Sequence, residues 1–151
     1  MEKQNFYDLN FDQLKNFLIE KVNVENNKAK MRAQQMFNAV YKKNIKNFDE
    51  LTTFSLKLRE KIKELISLAK PKIVDIQRSK DGTIKFLLEL KDKRNVETVL
   101  IPDKSQSRYT ICLSVSVGCY LSCEFCATAQ ISKNLVRNLS SGEIISQIIL
   151  C

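Results

Sequence analysis

Apolar residues recur every three or four positions through the first 70 residues, a spacing that is typical of amphipathic helices. The last such run ends before Pro71, because the residue before a proline is biased away from helical geometry. Lysines are frequent on the polar faces between the apolar positions. The pattern predicts a helical domain whose apolar faces are Phe11, Leu14, Phe17, Leu18 and Val22, then Ala33, Met36, Phe37, Val40 and Tyr41, then Leu58, Ile62, Leu65, Ile66 and Ala69.

After Pro71 the apolar positions follow a period of two, which predicts β-strands. The pair Asp81-Gly82 is a strong hairpin-turn signal and stands just before the clearest alternation. Another strand is predicted from Val96 to Ile101 and ends at Pro102. We therefore expect a small antiparallel sheet, in which the alternating side chains of one strand are Ile84, Phe86, Leu88 and Leu90.

A further predicted strand, from Tyr109 to Val117, leads into a run of cysteines. Its apolar side can pack under a helix and its small, polar side, which includes Cys112, can face a cofactor. Ser140 and Glu143 match a capping box and mark the start of a helix. The apolar stripe of that helix, which we assign to the core, is Ile144, Ile145, Ile148 and Ile149.

Strand, loop and capped helix in this order form the first βα unit of a (β/α) barrel, where catalytic groups lie on loops after the strand ends. The expected fold class is therefore α/β. We expect a helical accessory domain at residues 1–70, a small antiparallel sheet as a connector at 71–108, and the first βα unit of an incomplete barrel at 109–151. The barrel is expected to be incomplete because further βα units would be needed to close it.

Three cysteines, Cys119, Cys123 and Cys126, form a C-x3-C-x2-C run with the aromatic Phe125 before the last one. Three thiolates in one short loop can hold three irons of a [4Fe–4S] cluster and leave one iron open to a ligand that is not protein. A structural zinc site is the alternative, but such sites are usually closed by four nitrogen or sulfur ligands. The chain has no histidine and only two other cysteines. The spacing therefore favours the cluster.

Composition and charge limit the class of protein. The chain has 151 residues, is 44% hydrophobic and has a net charge of +8, which fits a folded protein better than a disordered one. No apolar run approaches the roughly 18–20 residues that span a bilayer, and the N-terminus has no apolar signal core. Three cysteines in one loop fit a reducing compartment, so we expect a cytoplasmic protein without a membrane partner. The positive charge favours a nucleic-acid partner, RNA or DNA, although a solvated lysine face is the simpler interpretation.

The cysteine run is similar to that of the radical S-adenosylmethionine enzymes, and longer stretches resemble one family among them. They look like the dual-specificity methyltransferases that modify C2 of adenine in large-subunit ribosomal RNA and transfer RNA. The resemblance covers nearly all of this chain but only the opening part of a typical family member. It is carried by Met31–Phe37, Asn47–Leu51, Val96–Pro102, Cys112–Cys119, Cys123–Thr128 and Arg137–Ile144.

The resemblance implies roles for single residues. Cys112 would be the thiol that helps to resolve a covalent adduct between RNA and enzyme. Glu97 would be an acidic residue near the active site, and Phe125 would lie beside the adenine of S-adenosylmethionine. The ligands of the [4Fe–4S] cluster would be Cys119, Cys123 and Cys126.

The resemblance also implies a reaction and its partners. Adenine C2 is not nucleophilic, so the family uses S-adenosylmethionine both as methyl donor and as radical source. The partners would be large-subunit rRNA, tRNA and a reductant protein for the cluster, and we expect a monomer. The family's methyl-carrying cysteine has no counterpart here, since Cys151 does not match it. We therefore expect that residues 1–151 alone do not methylate RNA.

Alternatives remain open at this point. A methyltransferase acting on adenine C8, the type linked to ribosome-targeting antibiotic resistance, shares the cluster loop and the cysteine pair. A non-catalytic RNA-binding module would use its cysteines for zinc or for nothing. A truncated product would fold poorly, because the strand from Tyr109 and the helix from Ser141 would lack barrel neighbours.

Overall fold

The structure is a computed structural model that describes residues 3–103, 105, 107–119, 124–125 and 137–151. The chain has a mixed α/β fold and divides into two compact units, Met1–Ala69 and Lys70–Cys151. We call them the helical unit and the sheet unit, and each is described by itself. No helix in the described ranges is both long and apolar enough to cross a membrane.

Two of the three α-helices described in the helical unit begin at a side-chain cap. Asn10 accepts a hydrogen bond from the backbone N–H of Gln13, whose side chain bonds back in a capping box. Ser55 accepts from the N–H of Leu58 in the same way. Within the described residues the helices are α1 (Phe11–Glu20), α2 (Asn26–Phe37), which continues into a π-helical turn (Asn38–Lys42), and α3 (Leu56–Leu65), with 3-10 turns at Phe6–Asp8 and Phe48–Glu50.

The apolar faces of these helices contribute to the core of the helical unit. Leu14, Met36 and Ile62 have no exposed surface, and an aromatic group packs beside them. The ring centroids of Phe6 and Tyr41 lie 5.8 Å apart. Burial, together with the nearby Tyr41, raises the pKa of the Tyr7 phenol to about 12. The aromatic members of this group are Phe6, Tyr7, Phe11, Phe37 and Tyr41.

The third helix ends earlier than predicted. The apolar spacing extends to Ala69, but α3 ends at Leu65, and Ile66–Ser67 forms a short strand, β2, that pairs in parallel with β1 (Gln4–Asn5). Ile66 is buried in this extended conformation, as it was expected to be on a helix. Its extended backbone allows pairing with β1, and the spacing of apolar residues does not reveal such a pairing.

An antiparallel sheet forms the centre of the sheet unit, as predicted. The first hairpin turns at Gly82, which has a φ of 95°, and Asp81 Oδ1 accepts from the N–H of Thr83 at 2.9 Å. The predicted Asp81-Gly82 turn is confirmed. In the described residues the strand order is β3 (Lys72–Arg78), β4 (Ile84–Glu89), β5 (Asn95–Asp103) and β6 (Arg108–Cys112).

One face of this sheet is buried and the other is open. Phe86, Leu88 and Val96 lie on the buried face and join Val117 and Leu139 in one apolar cluster. The open face carries alternate residues of the same strands. Since antiparallel partners point to the same side of a sheet, Lys85, Glu97 and Cys112 share this open face.

The predicted strand from Tyr109 to Val117 is two separate strands. Residues Arg108–Cys112 are β6 of the antiparallel sheet, whereas Ser116–Val117, β7, pairs with β8 (Arg137–Asn138). The chain leaves the sheet between them, and Val115, predicted on the packed side, is 61% exposed. The single-strand prediction is wrong because alternation continues through a break where the pairing partner changes.

The last helix, α4 (Ser141–Leu150), begins at the predicted capping box of Ser140 and Glu143. Its isoleucine stripe was expected in the core, yet Ile148 is 48% exposed. Ile144 does pack against the apolar cluster. The fully buried positions are small or polar instead, namely Gly142, Ser146 and Gln147.

Candidate functional site

The predicted cluster loop leaves the sheet unit from a paired stem. Val117 pairs with Arg137 and Ser116 pairs with Asn138, so the chain departs at Gly118 and returns beside the same point. Gly118 has a φ of 78°, a left-handed conformation that favours glycine. Cys119 follows it directly and is partly exposed. The first predicted ligand therefore stands at the mouth of the loop.

The other predicted ligands, Cys123 and Cys126, lie outside the described residues. No group of three or more His, Cys, Asp or Glu side chains that could hold a metal is found in the described ranges, which include one of the three thiols. Phe125 is described, and its side chain is 92% exposed. Its predicted place beside an adenine stays a prediction.

Cys112 and Glu97 lie on the open face of the sheet. Cys112 is the last residue of β6, where it pairs with Val99, and it is exposed to solvent. Glu97 is two residues from Val99 on β5, and its carboxylate forms an ion pair with Lys85 at 3.1 Å. The structure thus brings the two predicted catalytic residues to one face, with a lysine beside the carboxylate.

Arg137 holds the return end of the loop. Its guanidinium donates to both carboxylate oxygens of Glu143 at 2.9 Å and to Asp92 Oδ2 at 2.8 Å. Glu143 in turn accepts from the N–H of Ser140 at the start of α4. Asp92 lies in the turn between β4 and β5. One side chain therefore ties the stem of the loop to a hairpin turn and to a helix N-terminus.

These contacts favour the charged form of all three groups. Hydrogen bonds from Arg137 hold the pKa of the Glu143 and Asp92 carboxyls below their usual range, although burial opposes the shift. Hydrogen bonds to Glu143 and then Asp92 raise the pKa of the Arg137 guanidinium. The network is therefore fully charged near neutral pH.

A second anchor, the buried side chain of Gln147, was not predicted from the sequence. Its amide contacts Thr98 on β5 and the backbone of Ser114, in the segment between β6 and β7. A polar residue inside the run Ile144–Ile149 was the available signal. Cys151 is the residue that follows α4, away in sequence from the predicted cluster ligands, and partial burial raises the pKa of its thiol.

Comparisons with known proteins agree on one family. Residues 4–68 match the family model described as the ribosomal RNA large subunit methyltransferase N-terminal domain. The dual-specificity RNA methyltransferase RlmN of Campylobacter fetus is 41% identical to this chain, covering 97% of it and 41% of the relative. A probable dual-specificity RNA methyltransferase RlmN of Staphylococcus saprophyticus is 39% identical and covers 98% of this chain.

A solved structure has the same fold. The radical SAM methyltransferase from Sphaerobacter thermophilus superposes with a TM-score of 0.81 and 32% sequence identity, and the match covers 97% of this chain and 41% of that one. Among the relatives matched by sequence, the chain spans 41% of the length of the Campylobacter fetus protein and 38% of the length of the Staphylococcus saprophyticus protein.

The Arg137 network makes stability depend on acid. Its two carboxyls have lowered pKa values, so their contribution is present above the usual pKa of about 4 and is lost as the pH falls through the lowered values. We expect Arg137→Gln to reduce the free energy of unfolding at pH 7 by about 1–3 kcal/mol. The variant should also lose less stability between neutral and acid pH than the parent, as measured by urea unfolding.

Arg108→Gln is the matched control, because Arg108 also pairs with an aspartate, Asp103, but is 64% exposed. A surface pair of this kind contributes within about 1 kcal/mol. Equal losses for the two arginine variants would contradict the special role of Arg137.

Proposed function

We propose that this chain, as a member of the dual-specificity RNA methyltransferase family over the part that it spans, forms the RNA-binding and cluster-binding part of a radical S-adenosylmethionine methyltransferase. The proposed reaction is methylation of adenine C2 in large-subunit rRNA and tRNA. The observation that carries the proposal is the likeness to a radical SAM methyltransferase with a TM-score of 0.81, in a chain with a C-x3-C-x2-C run.

The donor set suits a [4Fe–4S] cluster. Cys119, Cys123 and Cys126 are soft thiol ligands, and three of them leave one iron open for S-adenosylmethionine. When bound, the cluster would supply an electron, and S-adenosylmethionine would supply the methyl group and the radical. The protein's part is to hold the loop: Gly118 turns the chain into it, and Arg137 fixes its return.

Cys112 and Glu97 would serve the substrate side. An exposed thiol at the end of a strand is accessible to a covalently held base, which fits the proposed role of Cys112 in resolving an adduct. Glu97 would act beside it on the same face. Its ion pair with Lys85 is a surface pair, so Lys85 can exchange the carboxylate for solvent or for a phosphate at little cost.

RNA binding would fall mainly to the helical unit. Lys42 and Lys43, at the end of the π-helical turn, and Lys46 beyond it are exposed. Lys63, in contrast, is held by Asp49 and Glu60 at 3.0 and 2.9 Å. We propose that the exposed lysines contact RNA phosphates, while a separate reductant protein supplies electrons to the cluster.

The cluster proposal is tested by anaerobic reconstitution of the chain with iron and sulfide. We expect a brown protein that binds about four irons per chain. Cys119→Ala and Cys123→Ala should each lose most of the colour and iron, because two thiolates cannot retain the cubane. Cys151→Ala should keep both, since Cys151 lies at the end of α4. A colourless parent chain that binds one zinc would instead support the binding-module alternative.

The reaction is tested in a chimera in which residues 1–151 replace the matching part of the Campylobacter fetus relative. Incubated with unmodified rRNA, S-adenosylmethionine and a reductant, it should produce 2-methyladenosine, detected by mass spectrometry of nucleosides. Cys112→Ala should lower turnover by at least about tenfold and accumulate a protein–RNA adduct, whereas Cys151→Ala should do neither. Methylation at C8 would contradict the assignment of C2.

RNA binding is tested by charge removal at matched positions. Lys42→Ala with Lys43→Ala should weaken binding to an rRNA fragment, and the slope of log affinity against log salt should fall in magnitude by about 1–2. Lys72→Ala with Lys80→Ala removes the same charge from the sheet unit and should change the slope less. Equal slopes for the two double variants would contradict binding through the helical unit.

A further inference from the structure

The backbone at Ser114 needs partners that a sheet no longer provides. Val99 and Cys112 are the last pair between β5 and β6. If the antiparallel pairing continued by two residues, Glu97 would be paired with Ser114, but the ladder ends before that position. Polar backbone groups that are removed from water without a partner cost about 1–3 kcal/mol each. Ser114 is partly buried, so partners other than a neighbouring strand are needed to offset this cost.

Gln147 supplies these partners from helix α4. Its Oε1 accepts from the N–H of Ser114 at 3.0 Å, and its Nε2 donates to the carbonyl of Ser114 at 2.9 Å. One side chain thus pairs with both backbone groups of one residue, as a neighbouring strand would. The Ser114 hydroxyl completes the junction by donating to the carbonyl of Glu97 at 2.7 Å.

The rest of the amide is also engaged. Oε1 accepts a second hydrogen bond from the Thr98 hydroxyl at 2.7 Å, and Nε2 reaches the carbonyl of Glu143 at 3.2 Å. Gln147 and Thr98 have no exposed surface. The amide orientation follows from these partners, because the N–H of Ser114 can only donate and must face Oε1. A buried amide with every group paired holds its neighbours in one arrangement.

We call the hydrogen bonds that join Gln147, Ser114 and Glu97 the junction, and its position along the chain relates it to the candidate site. Ser114 lies between Cys112, the proposed resolving thiol, and Cys119, the proposed first cluster ligand. Cys112 is fixed by the sheet on one side, and Cys119 follows the β7–β8 stem on the other. The segment between β6 and β7 is residues 113–115, with Ser114 at its centre. The carbonyl of Val115 accepts from the N–H of Leu139 at 2.9 Å, whereas both backbone groups of Ser114 pair with Gln147.

We propose that Gln147 is a positioning residue that fixes the Ser114 backbone and thereby sets the relative positions of Cys112 and Cys119. The part that concerns catalysis rests on the function proposed above. The hydrogen bonds of Gln147 described above join it to Ser114, Thr98 and Glu143, so we place its action on the Ser114 backbone. The set of hydrogen bonds from Gln147 to the Ser114 backbone, which we call the clamp, does not involve a cluster and can be tested without one.

The first test is amide hydrogen exchange by NMR on the cluster-free chain. In Gln147→Met, which keeps the volume but removes the amide, the N–H of Ser114 should exchange roughly tenfold to hundredfold faster. The N–H groups in the centre of β4 should keep their protection. Thr98→Val is the matched control, because it removes one buried hydrogen bond of the same amide and leaves both bonds to Ser114.

The two variants separate positioning from general stability. If Gln147 only stabilises the unit, both variants should raise exchange across the whole sheet in proportion to their loss of stability, and that result would overturn the proposal. If Gln147→Met does not fold, Gln147→Asn takes its place. Asparagine keeps the amide but is one methylene shorter, so it cannot reach Thr98 and Ser114 together.

The second test follows Cys112 after reconstitution. A reduced, paramagnetic cluster broadens nearby resonances, so the broadening at Cys112 reports its distance from the cluster. It should be the same in the parent and in Thr98→Val, and altered in Gln147→Met; unchanged broadening would contradict the positioning role. If no variant forms a cluster, the proposed function fails, while the exchange experiment still decides whether the clamp exists.

Discussion

The sheet unit depends on how its chain leaves an antiparallel sheet without leaving backbone groups unpaired. Strand β6 ends at Cys112, and the next pairing begins at Ser116 on a different partner. In this gap the Gln147 side chain pairs with the backbone of Ser114, and the Ser114 hydroxyl donates to the carbonyl of Glu97. The carbonyl of Val115 accepts from the backbone N–H of Leu139. Because Gln147 also binds Thr98, the same contact seats helix α4 on the buried face of the sheet.

Different kinds of interaction hold the two ends of the predicted cluster loop: a neutral amide on one side and an ion pair on the other. The departing side relies on a neutral amide with no exposed surface, which is cheaper to bury than an ion. The returning side relies on Arg137, whose side chain is 32% exposed and so keeps part of its hydration while it pairs with Glu143. Salt and acid therefore act on the return side and leave the Gln147 contacts largely unaffected.

Local causes explain what the sequence could predict. The turn at Gly82 and the cap at Ser140 are both determined by residues within four positions, so a pattern of residue types is sufficient. The cysteine spacing is local in the same sense. It predicts which thiols could hold a cluster, and the first of them, Cys119, follows Gly118 at the end of β7.

The rest depends on contacts between distant positions. Gln147 meets Ser114 at a separation of 33 residues, and Arg137 meets Asp92 at 45. Residue types in the isoleucine-rich run do not indicate that the Gln147 side chain is fully buried while Ile148 of the apolar stripe is 48% exposed. The break in the strand after Cys112 was missed for the same reason, because residue alternation does not record which partner a strand has.

Glu97 shows how structure and chemistry can be separated at one residue. Its carbonyl accepts from Ser114 and supports the junction, whereas its carboxylate lies on the open face in a surface pair with Lys85. Side-chain substitution leaves the carbonyl in place, so a change at the carboxylate alters chemistry while the junction persists. Cys112 has no such separation, because the thiol lies at the point where the strand ends. The positioning role proposed for Gln147 therefore concerns Cys112, which ends the strand next to the junction, and not the carboxylate of Glu97, which lies in a surface pair.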